Sequence, residues 1–462
     1  MIAMTLGEIA TIVGGRVSPA SSADAVVTGG VEYDSRKVGP GGLFVAFEGE
    51  KVDGHSYAAG VVAAGAAGVL GTKETGVPTV VVTDQLEALA KLARVVVGRL
   101  DKLTVVGLTG SSGKTTTKDY IGQLLARLGP TVAPAGSLNN ELGFPYTVLQ
   151  ATDETRFLVL EMGARGVGHI RYLTDIARPR IGVVLNVGAA HIGEFGSVEG
   201  TALAKGELVE SLPADGVAVL NADDPLVAGM ASRTSARVVR TGESAADVHA
   251  ADVTVDDAGR ATYSLKFGGK SGEVRLAVVG RHQVSNTLAA AAVALSAGMD
   301  FDDLTTALGE VGIVSGRRMD VFQNPAGVTV IDDSYNANPS STSAALRALA
   351  SMGAQRRTTA VLGFMAELGE YEISGHNDVG RLAAELGVDR LIAVAGNARP
   401  ILDGAATVSG WSGVAYFAAD QAAAIEILQQ DLRADDVVLV KGSRYRTWDV
   451  ADWLRLGEVQ PT

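Results

Sequence analysis

The 462-residue chain carries 39 Lys and Arg against 52 Asp and Glu, a formal net charge of −13, and no cysteine. An acidic balance without any Lys/Arg block excludes a nucleic-acid-binding protein, which needs a broad basic face. Without cysteine there is no disulfide framework, thiolate zinc site or thiol nucleophile, and at roughly 150 residues per domain the length suggests three domains.

The opening MIAMTLGEIATIVGG has no basic leader and carries Glu8, so a secretory signal is not expected and a cytoplasmic location is. Residues 1–101 read as a first α/β unit. Strands are expected at Leu43–Phe47, Ala67–Leu70 and Thr79–Val82, with the Ala/Gly-rich stretch Tyr57–Ala66 as a helix. The uncharged window Ser56–Thr72 is glycine-broken and shorter than a membrane span, so a buried helix is expected there and no membrane insertion. Asp34, Ser35 and Arg36, and the turn of Asp53, Gly54 and His55, read as satisfied polar turns or, alternatively, as a site for a polar, phosphorylated ligand.

Residues 102–316 read as a second unit, opened by TVVGLTGSSGKTTTK (Thr104–Lys118). A β-branched strand runs into a glycine-rich turn and then a helix, the layout of a phosphate-binding loop. Gly110 and Gly113 can turn successive N–H groups toward phosphate oxygens, together with Ser111, Ser112 and Thr116. Lys114 would reach the outer phosphates and the Thr115 hydroxyl a Mg²⁺ ion, so ATP or GTP chemistry with magnesium is the default. The spacing is a variant, GxxGxxGKT, with Leu108 where the usual pattern has its first glycine.

Two further apolar runs, Phe157–Leu160 and Ile181–Leu185, suit strands buried on both faces and end on Glu161 and Asn186, with His191 shortly after. In an open parallel sheet ligands bind beyond the carboxyl ends of the strands, so the loop, Glu161 and His191 are expected to converge. Taken alone, His191 reads as a loop histidine bonded to backbone rather than a metal ligand. Lys205, among Glu199, Glu207 and Glu210, reads from spacing as a solvated helix lysine. Asn286 opens an alanine-rich helix at Ser285–Ala297 and either caps it or reads a base edge.

Residues 317–462 alternate strands (Val328–Ile331, Thr359–Leu362, Leu391–Val394, Val437–Val440) with helices, the signature of a Rossmann-like domain, although no GxGxxG follows the first strand. DDSYNANPSS (Asp332–Ser341) and KGSR (Lys441–Arg444) fall at strand ends, facing an interdomain cleft.

GLTGSSGKTTTK resembles the ATP loop of the Mur ligases, the cytoplasmic enzymes that add amino acids to the UDP-linked peptidoglycan precursor. SLNNELGFP, LEMGARGVGHI, NVGAAHIGEFGS, AKGEL, LNADDP, DDSYNANP and KGSR, in that order, resemble the MurF type of that family. The resemblance covers nearly the whole chain. It implies three domains: a UDP-binding α/β domain, a phosphate-loop ATPase domain with a mainly parallel sheet, and a Rossmann-like ligase domain. It also implies an ATP-dependent, ADP-forming ligase joining D-alanyl-D-alanine to UDP-N-acetylmuramoyl-tripeptide, acting as a monomer with a role in cell shape and division.

By similarity, Asp34, Ser35, Arg36, Asp53, Gly54 and His55 lie at the UDP end, and Asn139 and Asn140 at the muramoyl-peptide. Thr115, Glu161, His191 and Lys205, the last as a CO₂-derived carbamate, match positions that hold up to two Mg²⁺ ions. Asn286 matches a position near adenine, and Arg317 and Asp333 match residues that reach phosphate and ribose on closure. Asn336, Asn338, Lys441, Ser443 and Arg444 fall in the acceptor or closure region. Lys114, Lys205, His191 and Arg317 are thereby the expected catalytic set. Phe364, in GFMAELG, stands where such sequences often have an acid, and no role is carried to it. A MurE-type or folylpolyglutamate-type ligase is the near alternative. A phosphate-loop ATPase switch, which needs no UDP domain and no acceptor, is the alternative from another class.

Overall fold

A computed structural model describes all residues except 51, 189–194, 245, 444 and 458–462. His191 and Arg444 therefore lie outside the described residues. Besides a two-stranded antiparallel pairing of Met4–Thr5 with Val26–Val27, the chain builds three larger sheets in succession.

The first has five strands. These are β1 (Arg16–Ser18), β2 (Val31–Glu32), β3 (Leu43–Val45), β4 (Gly68–Gly71) and β5 (Thr79–Val81), in the order β1-β5-β4-β3-β2. Helix α1 (Leu6–Val13) precedes them, α2 (Ala58–Ala63) links β3 to β4, and α3 (Gln85–Arg99) follows. Asp84 caps α3 by accepting from the amides of Leu86 and Glu87. The buried helix expected over Ser56–Thr72 is not formed. A short 3₁₀ turn at Gly54–Tyr57 leads into α2, of which only Ala58 and Val61 are buried, and the window ends in the buried strand β4. Glycines break the stretch, with Gly65 at φ +107°, and alanines and glycines offer too little apolar surface to bury a longer helix.

The central sheet has nine strands. In chain order they are β6 (Thr104–Thr109), β7 (Thr131–Val132), β8 (Phe157–Glu161), β9 (Ile181–Val184), β10 (Val217–Asn221), β11 (Arg237–Gly242), β12 (Val248–Val255), β13 (Arg260–Phe267) and β14 (Lys270–Val279). Across the sheet the order is β14-β13-β12-β11-β10-β9-β6-β8-β7, parallel from β7 to β12 and antiparallel at the far edge. Its helices are α4 (Lys114–Ala126), α5 (Gly143–Val148), α6 (His169–Ile176), α7 (Val198–Glu210), α8 (Gln283–Ser296) and α9 (Phe301–Glu310). Helix α8 begins at Gln283, so Asn286 is inside it and does not cap it.

The third sheet has six strands. Antiparallel β15 (Asp320–Gln323) pairs with β16 (Thr329–Asp332), followed across the sheet by β20 (Val437–Lys441), β17 (Thr358–Gly363), β18 (Arg390–Val394) and β19 (Val414–Ala418), all parallel. Helix α10 (Pro339–Met352) starts at a capping box formed by Asn338 and Ser341, and α11 (Glu372–Glu385), a seven-residue helix at Pro400–Ala406, α12 (Gln421–Asp431) and α13 (Trp448–Leu456) follow. The parallel strands β8, β9, β18 and β20 are buried along their whole length, as sheets covered on both faces require.

Candidate active site

Strands β6, β8 and β9 lie side by side, so their carboxyl ends deliver the phosphate loop, Glu161 and Asn186 to one edge. Gly113 sits at φ +78° and opens α4 with no side chain capping it, leaving helix N–H groups for an anion. A Cβ on Gly113 would meet Asn286 Oδ1 at 2.6 Å, which is how closely α8 approaches the loop. Asn186 fastens the other side: its Oδ1 accepts from the amides of Ser111 and Ser112, each at 2.9 Å. Val187 N–H donates to Asp224 at 2.8 Å and anchors that turn in place.

Lys114 Nζ donates to Gly110 O at 2.8 Å across the loop. Burial pushes its pKa down, the nearby Glu161 pulls it back up, and Arg318 lowers it further. Thr115 donates to Glu161 Oε2 at 2.7 Å, while Ser137 and Asn139 donate to Oε1 at 2.8 and 2.7 Å. Thr115 and Glu161 thus present hard oxygens in a buried, hydrogen-bonded group. Asn140 also lines the cleft, and its Oδ1 accepts from Gly143 N–H at 2.8 Å at the start of α5.

Lys205, on α7, is not the solvated lysine its spacing suggests: it is 3% exposed. Its neighbour Glu207 points elsewhere, accepting from the amides of Gly168 and Arg171 at the start of α6. Among the described residues no carboxylate pairs with Lys205, and burial followed by the Lys114 charge pushes its pKa well down, toward a neutral amine.

These groups line a cleft of about 1210 Å³ between the central and third sheets, whose third-unit wall includes Arg317, Arg318, Asp333, Asn336, Asn338, Lys441 and Ser443. Asn338 Nδ2 reaches Ser111 O across the cleft at 3.5 Å. Asp333 is paired with the buried Lys441 and accepts from Met319 N–H at 3.1 Å. Ser443 bonds the backbone of Phe364 and Ala366, and the Phe364 ring stacks on His376 at 5.3 Å.

Arg317 is committed to its own unit, with Asp452 at 2.8 Å and Asp332 at 3.7 Å. Its neighbour Arg318 lines the same cleft, paired with no carboxylate among the described residues, and its charge acts on Lys114 of the phosphate loop. Arg318 lies over the Tyr335 ring at 4.2 Å, and its Nε is buried with no partner among the described residues. The doubled arginine was the sequence signal, but which of the two faces inward depends on a backbone in which Arg317 and Met319 both have positive φ. His282, at the head of α8, also lines the cleft and escaped the sequence reading. Burial lowers its pKa to about 4, Asp333 acting upward and Lys441 downward.

Asp34, Ser35, Arg36, Asp53, Gly54 and His55 are absent from the cleft and lie on the first unit. Arg36 grips Asp34 at 2.8–2.9 Å, pulling the carboxyl down to about 2. His55 is spent on structure: Nδ1 faces Asp53 at 2.6 Å and Nε2 accepts from Thr72 N–H at 3.0 Å.

A three-unit nucleotide enzyme with its phosphate loop facing the third unit across a cleft is what this fold and site define. Three family profiles match in the same order: "Mur ligase family, catalytic domain" over residues 28–99, "Mur ligase middle domain" over 108–294, and "Mur ligase, glutamate ligase domain" over 317–444. The chain is 48% identical to the UDP-N-acetylmuramoyl-tripeptide--D-alanyl-D-alanine ligase of Mycobacterium tuberculosis, covering 96% of both sequences. Among solved structures it is similar to MurF from Acinetobacter baumannii, with 32% identity, a TM-score of 0.86 and 98% and 99% of the two chains covered. It is also similar to MurF ligase from Thermotoga maritima in complex with ADP, with 28% identity, a TM-score of 0.79 and 93% and 98% covered. The chain belongs to the Mur ligase family, and it is an ATP-dependent ligase.

Proposed function

We infer that this enzyme ligates D-alanyl-D-alanine to UDP-N-acetylmuramoyl-tripeptide, converting ATP to ADP and phosphate and giving the pentapeptide precursor of peptidoglycan. The observation that carries this is near-full-length similarity to ligases of that name, joined to a phosphate loop, Glu161 and Lys205 gathered in one cleft.

The tripeptide carboxylate attacks the γ-phosphate of ATP, forming an acyl phosphate that the dipeptide amine then opens. At about 4 Å and an effective dielectric near 20, each pair of like unit charges repels by about 4 kcal/mol. Lys114 holds positive charge at the loop, and Arg318 supplies the matching charge from the third unit. The uncapped start of α4 offers backbone N–H groups to the phosphates. Closing the cleft keeps water from the acyl phosphate.

Thr115, Glu161, Lys205 as its carbamate, and His191 would hold up to two Mg²⁺ ions. Magnesium supplies charge neutralisation on the transferring phosphoryl group. The donor set fits, since hard oxygens converge at Glu161. Among the described residues no three carboxylate or histidine side chains cluster, so water and phosphate would complete the shell.

We assign the UDP end to the first unit around Asp34–Arg36 and Asp53–His55, with His55 holding the turn and the exposed Arg36 facing ligand. Asn139 and Asn140 fall to the muramoyl-peptide, Asn286 to adenine, and Asp333 to ribose. Asn336, Asn338, Lys441, Ser443 and Arg444 fall to the acceptor side. We place the domains at 1–101, 102–316 and 317–462, the last boundary supported by the positive-φ residues that follow Gly316. A cytoplasmic monomer serving cell division fits the substrates, and no described helix is long and apolar enough to cross a membrane.

The test is phosphate release from ATP with UDP-MurNAc-tripeptide and D-Ala-D-Ala, a single amino acid, or no acceptor. Release that rises only with the dipeptide, with a pentapeptide product by mass, is the expected outcome. Turnover with a single diamino acid and a UDP-MurNAc-dipeptide donor would move the enzyme to the MurE type, and acceptor-independent hydrolysis would make it a switch.

A further inference from the structure

Helix α4 does more than carry the phosphate loop at its start. Asp119, Gln123 and Arg127 recur at four-residue spacing and so share one face. All three grip the segment that leads into the third unit. Asp119 Oδ2 accepts from Ser315 N–H at 2.9 Å. Gln123 bonds both the N–H and the C=O of Gly312, each at 3.0 Å. Arg127 pairs with Glu310, both partly exposed, which makes this the weak end of the row.

The buried end is the strong one. Asp119 and Lys118 are each 3% exposed and lie 2.9 Å apart, and Lys118 also donates to Gly136 O at 2.9 Å. Ser315 in turn accepts from Gly136 N–H at 2.8 Å. Gly136 precedes Ser137, whose hydroxyl donates to Glu161. One polar cluster therefore ties the loop helix, the Glu161 group and the linker together. Two residues past Ser315 the backbone enters positive φ at Arg317 and again at Met319, conformations that side chains of this size rarely adopt. The direction in which Arg318 leaves the chain thus depends on where Ser315 is held.

We propose that Asp119, seconded by Gln123, is a positioning residue for the ligase reaction: by fixing the linker to the phosphate-loop helix it places Arg318 over the nucleotide. The proposal rests on the ligase reading above. Asp119 does not line the cleft and acts on Arg318 through the linker, and Gln123, which grips the linker without touching Lys118 or Gly136, isolates that route.

The test is a double-mutant cycle on the full chain, with ATP, UDP-MurNAc-tripeptide and D-Ala-D-Ala. Asp119→Ala is expected to lower kcat by about tenfold or more with the KM for ATP changed by less than about threefold, because the Asp119 side chain bonds Ser315 and Lys118 and none of Gly110–Thr115. In the Arg318→Ala background the same change is expected to cost less than about twofold, since the group it positions is gone. Gln123→Ala should repeat the pattern more weakly, and it carries the cycle if Asp119→Ala does not fold. A double variant whose loss is the product of the single losses would overturn the proposal, as would an Asp119→Ala or Gln123→Ala enzyme with wild-type kcat. If the wild type makes no pentapeptide, the ligase reading itself falls and takes this inference with it. Wild-type turnover with a multiplicative cycle removes the positioning role alone.

Discussion

The two junctions of this enzyme are made of different materials. Between the first and central units, α3 packs on α5 and α6, and buried residues from Met1 to Leu100 merge with Val105, Phe144, Leu160 and Leu173 into one apolar core. Between the central and third units the third keeps its own cores, with Val279 of β14 packed against the edge of one, and the hydrogen bond that crosses the cleft is Asn338 with Ser111, while Asp119–Ser315 and Gln123–Gly312 hold the linker just before the boundary. Opening the first junction would expose apolar surface at roughly 25 cal/mol per Å². Opening the second exchanges hydrogen bonds for water at roughly 1 kcal/mol each. The first unit is therefore joined to the central one by apolar burial and the third by far less of it, so the second junction is the one expected to yield first.

The largest effect is expected where the polar junction meets the chemistry. Lys114→Ala should reduce kcat/KM by at least about 3 kcal/mol of transition-state stabilisation, roughly a hundredfold, with little change in melting temperature. Near-wild-type steady-state kinetics would remove the phosphate-loop role. Next, urea should unfold the protein in two steps, the third unit separately from the first and central units together. Leu92→Ala, fully buried on α3, should lower only the shared step, by about 2–5 kcal/mol. A uniform shift of both transitions would mean the junctions are not distinct.

Lys205→Ala should lose activity and regain part of it when short carboxylates are added to stand in for the carbamate. Full activity without a supplement would dismiss that role. The smallest effect concerns His282, which faces Asp333 and Lys441 across the polar junction. Its folded pKa, about 4, lies below the unfolded value near 6.5, so the unfolded chain binds the extra proton between them. Stability contributed by this site is full above pH 6.5 and is lost as pH falls toward 4. His282→Gln should therefore show a shallower fall in melting temperature from pH 7 to 5 than the wild type, and parallel curves would contradict it.

Much of this arrangement is legible in the amino acids. Apolar runs such as Phe157–Leu160 and Ile181–Leu185 have one sensible fate, a parallel strand covered on both faces, and each ends on a polar residue because the strand ends there. The antiparallel edge was not foreseen, since VHAADVTV in β12 mixes small, charged and apolar residues without clean alternation. Lys205 was misread because Glu207 looked like a helix-surface partner, whereas that carboxylate is turned inward to serve the start of α6. Arg318 had no motif to mark it beside Arg317, and the positive φ of Arg317 and Met319 that sets how the two leave the backbone has no signature in spacing.

Because no side chain of the protein caps α4 at Gly113, the backbone N–H groups that open this helix are left for a ligand to answer. Nucleotide then acts as a missing piece of the folded state as well as a reactant. At a hundred times its dissociation constant a ligand confined to the native form adds about 2.7 kcal/mol of stability. A cell rich in ATP would thus keep this protein more resistant to unfolding and proteolysis than purified, nucleotide-free material, and preparations stored without nucleotide should age fastest.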